Sequence, residues 1–552
     1  MFRESTQRKA GYLIAFSLAV VTIAVTPTLN FDPINVPKLW VLLILSFGIL
    51  GLILSDLRSF LNRDKWPVLI TGFSFLIFML ISLLFSNSPL NQQIFGTYGR
   101  NTGFLAYVAF VLLFMGSAAI TSIDIKRPII IGISIAFGIN LIYGLFQAFG
   151  KDPFEWSNPY TPVIGTLGNP NFAAAFLAIG MAFALPFAFA KEVSTKSKLL
   201  VILCIPIVLI DILKSNAQQG IVVLAISFGL IGYFILKSKV NKSAIRISYL
   251  VFGLSIGLLG ILGTLQKGPL ASLLYKPSVT YRGDYWHAGI KMFLTHPWFG
   301  VGLDSYGDYY RASRSLEATL RRGPSIVSNA AHNVFIDVLA TAGIFTFLAY
   351  VSIIVLGLRA AYKISKRTVE FDPFFVGIFC AWIGYLVQSA ISINNIALGI
   401  WGWVLPGILI SMERWNLNTK NERNIKTIDF SGMTMGIGLV IGAVIGYLPF
   451  QADSTFLSAL ESRNANQIYE AAHKWPTDTY RYLYAAQLFD QNKIPDKAVS
   501  LARDAIKINT RSYEAWAYIY KSNLITANEK REILDKIKIL DPNNPNLKKL
   551  GK

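Results

Sequence analysis

The residues able to do chemistry gather in a few loops. The densest set runs from Tyr281-Arg282-Gly283-Asp284-Tyr285-Trp286 through His296-Pro297-Trp298-Phe299-Gly300-Val301-Gly302 to Ala331-His332-Asn333. Asp337 and Gly343 follow in the next apolar stretch. A guanidinium holds anionic oxygens through planar, paired hydrogen bonds without a metal. An imidazole that titrates near neutrality can relieve a hydroxyl of its proton. Arg282 and His332 are therefore the leading candidates for an anion clamp and a general base, with Asn333 or Asp337 to orient the imidazole. Arg311, Arg314, Arg321 and Arg322 lie in the same segment and could add positive charge where negative charge develops. Each has a structural alternative: loop arginines meet solvent or lipid phosphate, and His332 could cap or pack at a helix start. His296, ahead of Pro297 and two glycines, reads as part of a turn. Asp304 and Asp308 have no carboxylate cluster around them, so neither a metal nor another cofactor is expected.

Three shorter segments carry the other unusual polar residues: Gly96-Thr97-Tyr98-Gly99-Arg100-Asn101, Gly165-Thr166-Leu167-Gly168-Asn169-Pro170-Asn171, and Ser215-Asn216-Ala217-Gln218-Gln219-Gly220. What positions all of them is a membrane. With 53% hydrophobic and only 15% charged residues and a mean hydropathy of +0.48, the chain is too apolar for a soluble globular protein. Runs long enough to cross a bilayer fall near 12–29, 38–55, 66–85, 104–121, 128–149, 170–190, 198–213, 220–236, 247–265, 333–360, 373–392, 396–412 and 431–449, about thirteen spans in all. The fold class predicted is therefore all-α, a polytopic transmembrane helical bundle. Lys and Arg concentrate on alternate loops, from Arg3, Arg8 and Lys9 at the start to Arg414, Lys420, Arg423 and Lys426 near the last span. The opposite loops hold only Lys38, Arg100, Lys151 and Lys214 outside the long 266–332 loop. By the positive-inside rule the N-terminus is cytoplasmic, and an odd number of spans puts the C-terminus outside. The polar loops then share the outer face. The net charge of +20 is dispersed over loops rather than gathered in a patch, so no nucleic-acid partner is expected. Cys204 and Cys380 each sit in an apolar run and suit neither a disulfide framework nor a zinc site.

The order Arg282, His-Pro-x-x-Gly-x-Gly at 296–302, His332-Asn333 and Gly343, together with the Asn-rich 165–171 segment, resembles the bacterial O-antigen ligase and O-antigen polymerase superfamily, over most of residues 1–410. The resemblance implies a GT-C type glycosyltransferase, which moves a glycan from an undecaprenyl pyrophosphate carrier to a glycan, lipid or protein acceptor at the outer face of the cytoplasmic membrane. It gives Arg282 the leaving pyrophosphate and His332 the acceptor hydroxyl. Arg100, Gln219, Arg311, Arg314, Asn333 and Asn171 become candidate substrate-binding residues. Many relatives carry an Arg where this chain has Gln219, and a neutral amide adds no charge at that point. An O-antigen polymerase and a protein O-oligosaccharyltransferase are alternatives on the same fold. A flippase is less favoured, since the halves show no internal repeat.

Asn140, Tyr143 and Gln147 share one helix face, and Asp211 and Gln388 sit inside spans; these groups line a lipid-carrier groove or bond between helices. From residue 450 to 552 hydropathy falls and amphipathic periodicity takes over. Turns recur at Trp475-Pro476, Asn509-Thr510 and Asp541-Pro542, near the period of tetratricopeptide repeats. Helices are predicted at Tyr480–Gln491 and Asp496–Ile508, with Ala485, Ala498 and Ala505 where they touch. Residues 1–449 are thus expected to form the transmembrane unit and 450–552 an extracytoplasmic TPR-like domain with a possible protein partner.

Overall fold

The computed structural model describes residues 4–156, 163–368, 370–415 and 429–547. Arg3, Lys420, Arg423 and Lys426 of the basic loops lie outside the described residues. Among the described residues the chain is helical, with no strand. Each predicted apolar run coincides with a helix, and among the described residues 9 helices are long and apolar enough to cross a membrane. Phe104–Ala119 and Pro373–Ser389 are apolar but shorter. Glu4–Ile23 and Thr195–Lys214 complete the correspondence, each with charged residues in its first turns. The chain is a multi-pass membrane protein.

The bundle core holds Trp382, Trp401 and Trp403, all essentially inaccessible. Around it, small residues let helices approach closely, as expected where lipid supplies no hydrophobic drive between spans. The helix Ser431–Ser462 lies on Asn35–Ser55 in this way. A Cβ on Gly438 would stand 2.0 Å from the Phe47 carbonyl oxygen, and one on Gly442 2.3 Å from that of Leu43. This 32-residue helix continues past the bundle and delivers Phe456 and Ala459 to the apolar core of the C-terminal helices. Those helices are Ala465–Ala472, Thr479–Gln491, Pro495–Ile508, Tyr513–Lys521 and Ala527–Leu540. Ala485, Ala498 and Ala505 are fully buried at their contacts.

The long loop is itself mostly helical: Ala271–Leu274, Pro277–Thr295, Tyr306–Ser313 and Leu316–Arg322. Its fixed point is a break in the helix Val334–Arg367, where Gly343 adopts φ 76° and ψ −178°. That geometry frees two acceptors and a donor, and the turn at 296–302 takes them up. Val301 N–H donates to the Ala340 carbonyl (2.9 Å), Gly302 N–H to that of Thr341 (3.0 Å), and Ile344 N–H to that of Pro297 (2.9 Å). A Cβ at Gly343 would meet the Trp298 carbonyl oxygen at 2.2 Å, and one at Gly300 would meet Thr341 C at 2.3 Å. The His-Pro-x-x-Gly-x-Gly sequence is thus a backbone plug for a broken helix, and His296 is exposed, its ring nitrogen 3.0 Å from the Thr295 hydroxyl.

Candidate functional site

Helix Pro277–Thr295 carries Arg282 and Tyr285, and it packs on the start of Val334–Arg367, where Gly289 admits Ile336. This contact brings Tyr285 to His332. Their rings stack with centroids 4.9 Å apart at 24°. His332 holds a left-handed backbone, φ 53°, an uncommon state for a residue with a side chain and one that recurs at functional sites. Tyr285 is fixed from two directions. Its carbonyl accepts from the Tyr306 hydroxyl at 2.6 Å, and its own hydroxyl accepts from Arg322. The Arg322 guanidinium also lies over the Tyr281 ring at 4.3 Å.

Three arginines act on the imidazole. Burial first, then the charges of Arg282, Arg100 and Arg322, bring His332 down to about 4. The ring is therefore neutral at physiological pH, the form that accepts a proton. Arg282 is half-buried and forms no ion pair among the described residues. Burial pulls its pKa down, opposed by the Tyr285 phenol, so an arriving anion would relieve a desolvated charge.

Arg100 differs. It is 4% exposed and clamped by two carboxylates, Asp337 at 3.0 Å and Asp304 at 3.3 Å, while also donating to the Asn329 carbonyl at 2.6 Å. Burial works against its charge, but Asp304 and Asp337 outweigh it and raise its pKa. Asp304 in turn accepts from the Thr97 N–H at 2.8 Å, so the 96–101 segment, the long loop and the broken helix meet in one ionic knot.

The other sequence candidates are distributed as follows. Asn333 caps Val334–Arg367: its Oδ1 accepts from Phe335 and Ile336, and its Nδ2 donates to the Ala390 carbonyl at 2.9 Å. Asp337 pairs with Arg100 and accepts from Ala331 N–H at 3.1 Å. Neither Asn333 nor Asp337 orients His332; the Tyr285 ring does so by stacking. Arg311 and Arg314 turn away from this cluster. Arg314 donates twice to Asp541, at 2.8 and 2.9 Å. Arg311 reaches Glu514 at 2.9 Å and Asp541 at 3.4 Å. The sequence put both arginines on the substrate; here their charge is spent on docking the C-terminal helices to the loop.

Asn171 stands in the first turn of Pro170–Ala188, capped by Asn169. Gln219, in the first turn of Gln218–Lys239, is buried, and neither end of its amide has a partner among the described residues. Gly220 abuts the Ala174 carbonyl at a Cβ distance of 2.8 Å, which sets the Gln219 turn about one helical turn along from Asn171.

The polar face of Lys126–Ala148 has a local task. Asn140 Oδ1 accepts from Thr166 N–H (3.0 Å) and hydroxyl (2.9 Å), and Gln147 Oε1 accepts from Ile164 and Gly165 N–H at 3.0 and 2.8 Å. Lys38 donates to the Thr166 carbonyl at 2.8 Å. These bonds pin the 163–167 loop from inside the bundle. Asp211, beside Gly144, keeps both carboxylate oxygens buried without a hydrogen bond among the described residues.

Sequence reasoning placed Arg322 only in a supporting group and gave Tyr285 and Tyr306 no role. Their spacing carries no periodic signal, because the contacts that recruit them cross from one element to another. Among the described residues, no group of three or more His, Cys, Asp or Glu side chains is placed to hold a metal ion.

A membrane-embedded all-α bundle with an arginine-ringed histidine beside a broken helix defines the class of the molecule. Comparison adds a partial likeness: residues 199–351 match the family model described as O-Antigen ligase, Wzy_C. The resemblance to the O-antigen ligase superfamily is thereby supported, and with it an O-antigen ligase-type membrane glycosyltransferase family. The matched segment contains Gln219, Arg282, Arg322 and His332; Arg100 and Asn171 lie outside it. No curated protein matches the chain.

Proposed function

We propose that this protein transfers a glycan from an undecaprenyl pyrophosphate donor to an acceptor hydroxyl at the outer face of the cytoplasmic membrane. The observation that carries the reading is the buried His332 ring stacked on Tyr285, its pKa held down by burial and by the charges of Arg282, Arg100 and Arg322, of which Arg282 has no carboxylate partner among the described residues. Arg282, with Arg322 beside it, holds the diphosphate and takes up the charge released as the glycosidic C–O bond to phosphate breaks. His332 Nε2 or Nδ1 receives the acceptor proton as the new bond forms. Arg100 serves this site from behind: its own charge is matched by Asp304 and Asp337, so it fixes the loops rather than touching substrate. Gln219 and Asn171 supply uncharged donors and acceptors on a neighbouring wall.

Burial and then the arginine charges lower the basicity of His332 in the empty site, and a bound diphosphate offsets the arginine share. Donor binding therefore raises the imidazole's affinity for a proton at the moment a base is needed. This couples deprotonation of the acceptor to the presence of the leaving group.

Deletion of the gene followed by analysis of surface glycans tests the reading. Loss of attached glycan with a normal lipid-linked pool is the expected result. Single unpolymerised units would assign the polymerase variant of the same chemistry, and an unglycosylated protein would assign a protein acceptor. Unchanged glycans would remove the proposal.

A further inference from the structure

One cavity among the described residues contains neither Arg282 nor His332. It is about 620 Å³ and lies where the C-terminal helices meet the outer loops, bounded by residues of the 89–101 segment, the 304–329 segment and helices 479–491 and 495–508. Its size falls within the range of small-molecule sites. Its chemistry is unlike that of a lipid groove, because Asp304, Asp308, Asp453 and Asp478 all face it. The same carboxylates oppose a phosphate. Of its cations, Arg311 is paired with Glu514 and Asp541, Arg481 donates to the backbone carbonyls of Ala452 and Lys474, and Arg511 lies 3.8 Å over the Tyr309 ring with its charge set against Asp308.

What remains is suited to a polyhydroxylated ligand. Asn101, 6% exposed, keeps its Oδ1 without a hydrogen-bond partner among the described residues, and so does the buried Nε of Arg511. Both residues line the cavity. Tyr98 and Tyr480 stack there with centroids 4.1 Å apart and planes at 4°, so that each holds the other's inner face and the partly exposed Tyr480 keeps an outward face of the kind on which the C–H face of a sugar ring rests. Asn91 and Asn509 add amides, and each also bridges the two parts of the wall, Asn91 to Thr477 at 2.8 Å and Asn509 to Asp308 at 3.0 Å.

The cavity is joined to the candidate site through one residue. Asp304 and Asn329 line it, and both hold Arg100, whose charge acts on His332. We infer that the cavity between the C-terminal helices and the outer loops binds a short, unphosphorylated saccharide segment, the part of a glycan that extends away from the reacting end. The inference rests on the glycosyl-transfer reading. It gives the C-terminal helices a direct role in substrate recognition, since half of the cavity wall is theirs.

The test uses the full-length protein in lipid nanodiscs and calorimetric titration with two separate probes: oligosaccharide released by mild acid from the host's own lipid-linked pool, and the sugar portion of the envelope acceptor isolated from the deletion strain. Binding of the first probe assigns the cavity to the donor glycan, and binding of the second to the acceptor. In either case Tyr480→Ala and Val327→Trp, the latter filling the rim from an exposed loop position, are expected to weaken binding at least tenfold. Tyr480→Phe, which keeps the stacked ring, is expected to stay within about threefold of the parent. Arg282→Ala is expected to bind the saccharide normally while losing transfer, which separates this inference from the one it rests on. Absence of binding by both probes to a protein that transfers glycan would overturn it. So would undiminished binding in both Tyr480→Ala and Val327→Trp.

Discussion

Replacing Asp541 by Ala should loosen the long 266–332 loop from more than two hundred residues away in sequence. Asp541 is inaccessible to solvent, as is Arg314, which donates to both its oxygens at 2.8 and 2.9 Å. Arg311 adds a third bond at 3.4 Å and Asn544 a fourth at 3.1 Å. Removing one partner of a buried ion pair strands the other charge and costs about 3–5 kcal/mol; here Arg314 loses its carboxylate, while Arg311 keeps Glu514. At roughly 1.4 kcal/mol per tenfold, the undocked population should rise by about two to three powers of ten. Glu514, which pairs with the same Arg311 but is 55% exposed, should contribute less than about 1 kcal/mol. Amide hydrogen exchange of the full chain in nanodiscs reads both. The Arg314 N–H, bonded to the Tyr310 carbonyl at 2.9 Å, and the neighbouring amides of residues 306–329 should lose protection in Asp541→Ala and keep it in Glu514→Ala. Equal protection in the two variants would refute the assignment of Arg311 and Arg314 to docking.

Other consequences follow from the same geometry. Gly343→Ala should lose about 1–3 kcal/mol through its left-handed backbone alone, with more from the 2.2 Å approach of Trp298 O. It should abolish transfer and lower the melting temperature, whereas Gly283→Ala, which meets nothing within 4 Å in a helix, should be neutral or slightly stabilising. Arg100→Gln should destabilise the packing of the 96–101 segment on the long loop by about 3 kcal/mol or more, because Asp304 and Asp337 are left buried without a cation; thermal unfolding in detergent checks it.

The pH profile has a definite sign. His332 falls from its ordinary 6.5 to about 4 in the folded chain, so between those values the unfolded chain binds the extra proton. Its contribution leaves stability highest above pH 6.5 and lowers it as pH falls toward 4. For the same reason the acid limb of kcat/KM, which reports the free enzyme, should lie near pH 4, and the acid limb of kcat higher, once bound diphosphate offsets the arginines. Coincident limbs near pH 6.5 would count against His332 as the base.

Much of this arrangement was legible in the residues. Spans of pure apolar composition announce themselves because the bilayer permits no exposed backbone, and Ala485, Ala498 and Ala505 marked helix contacts by their size. Arg282 and His332 stood out as the guanidinium and the imidazole of one motif-bearing segment. Their supports were harder to see. That Asp304 and Asp337 belong to Arg100, and Asp541 to Arg311 and Arg314, depends on pairings across 200 residues or more, which local pattern does not encode. The His-Pro-x-x-Gly-x-Gly stretch shows the same limit. Its turn character was readable from Pro297 and the glycines, but its fit into the break at Gly343 required the two segments to be seen together.

The most direct test of the central claim is glycan transfer by the purified full-length protein, assayed with lipid-linked donor and acceptor and compared with Arg282→Ala and His332→Ala folded in the same nanodiscs. Loss of an anion-stabilising donor or of a general base typically costs about 10²–10³-fold or 10²–10⁴-fold in rate, and each variant should fall by at least a hundredfold, with Arg282→Lys recovering part of the loss. Transfer at the parent rate by either alanine variant would contradict the assignment of the site.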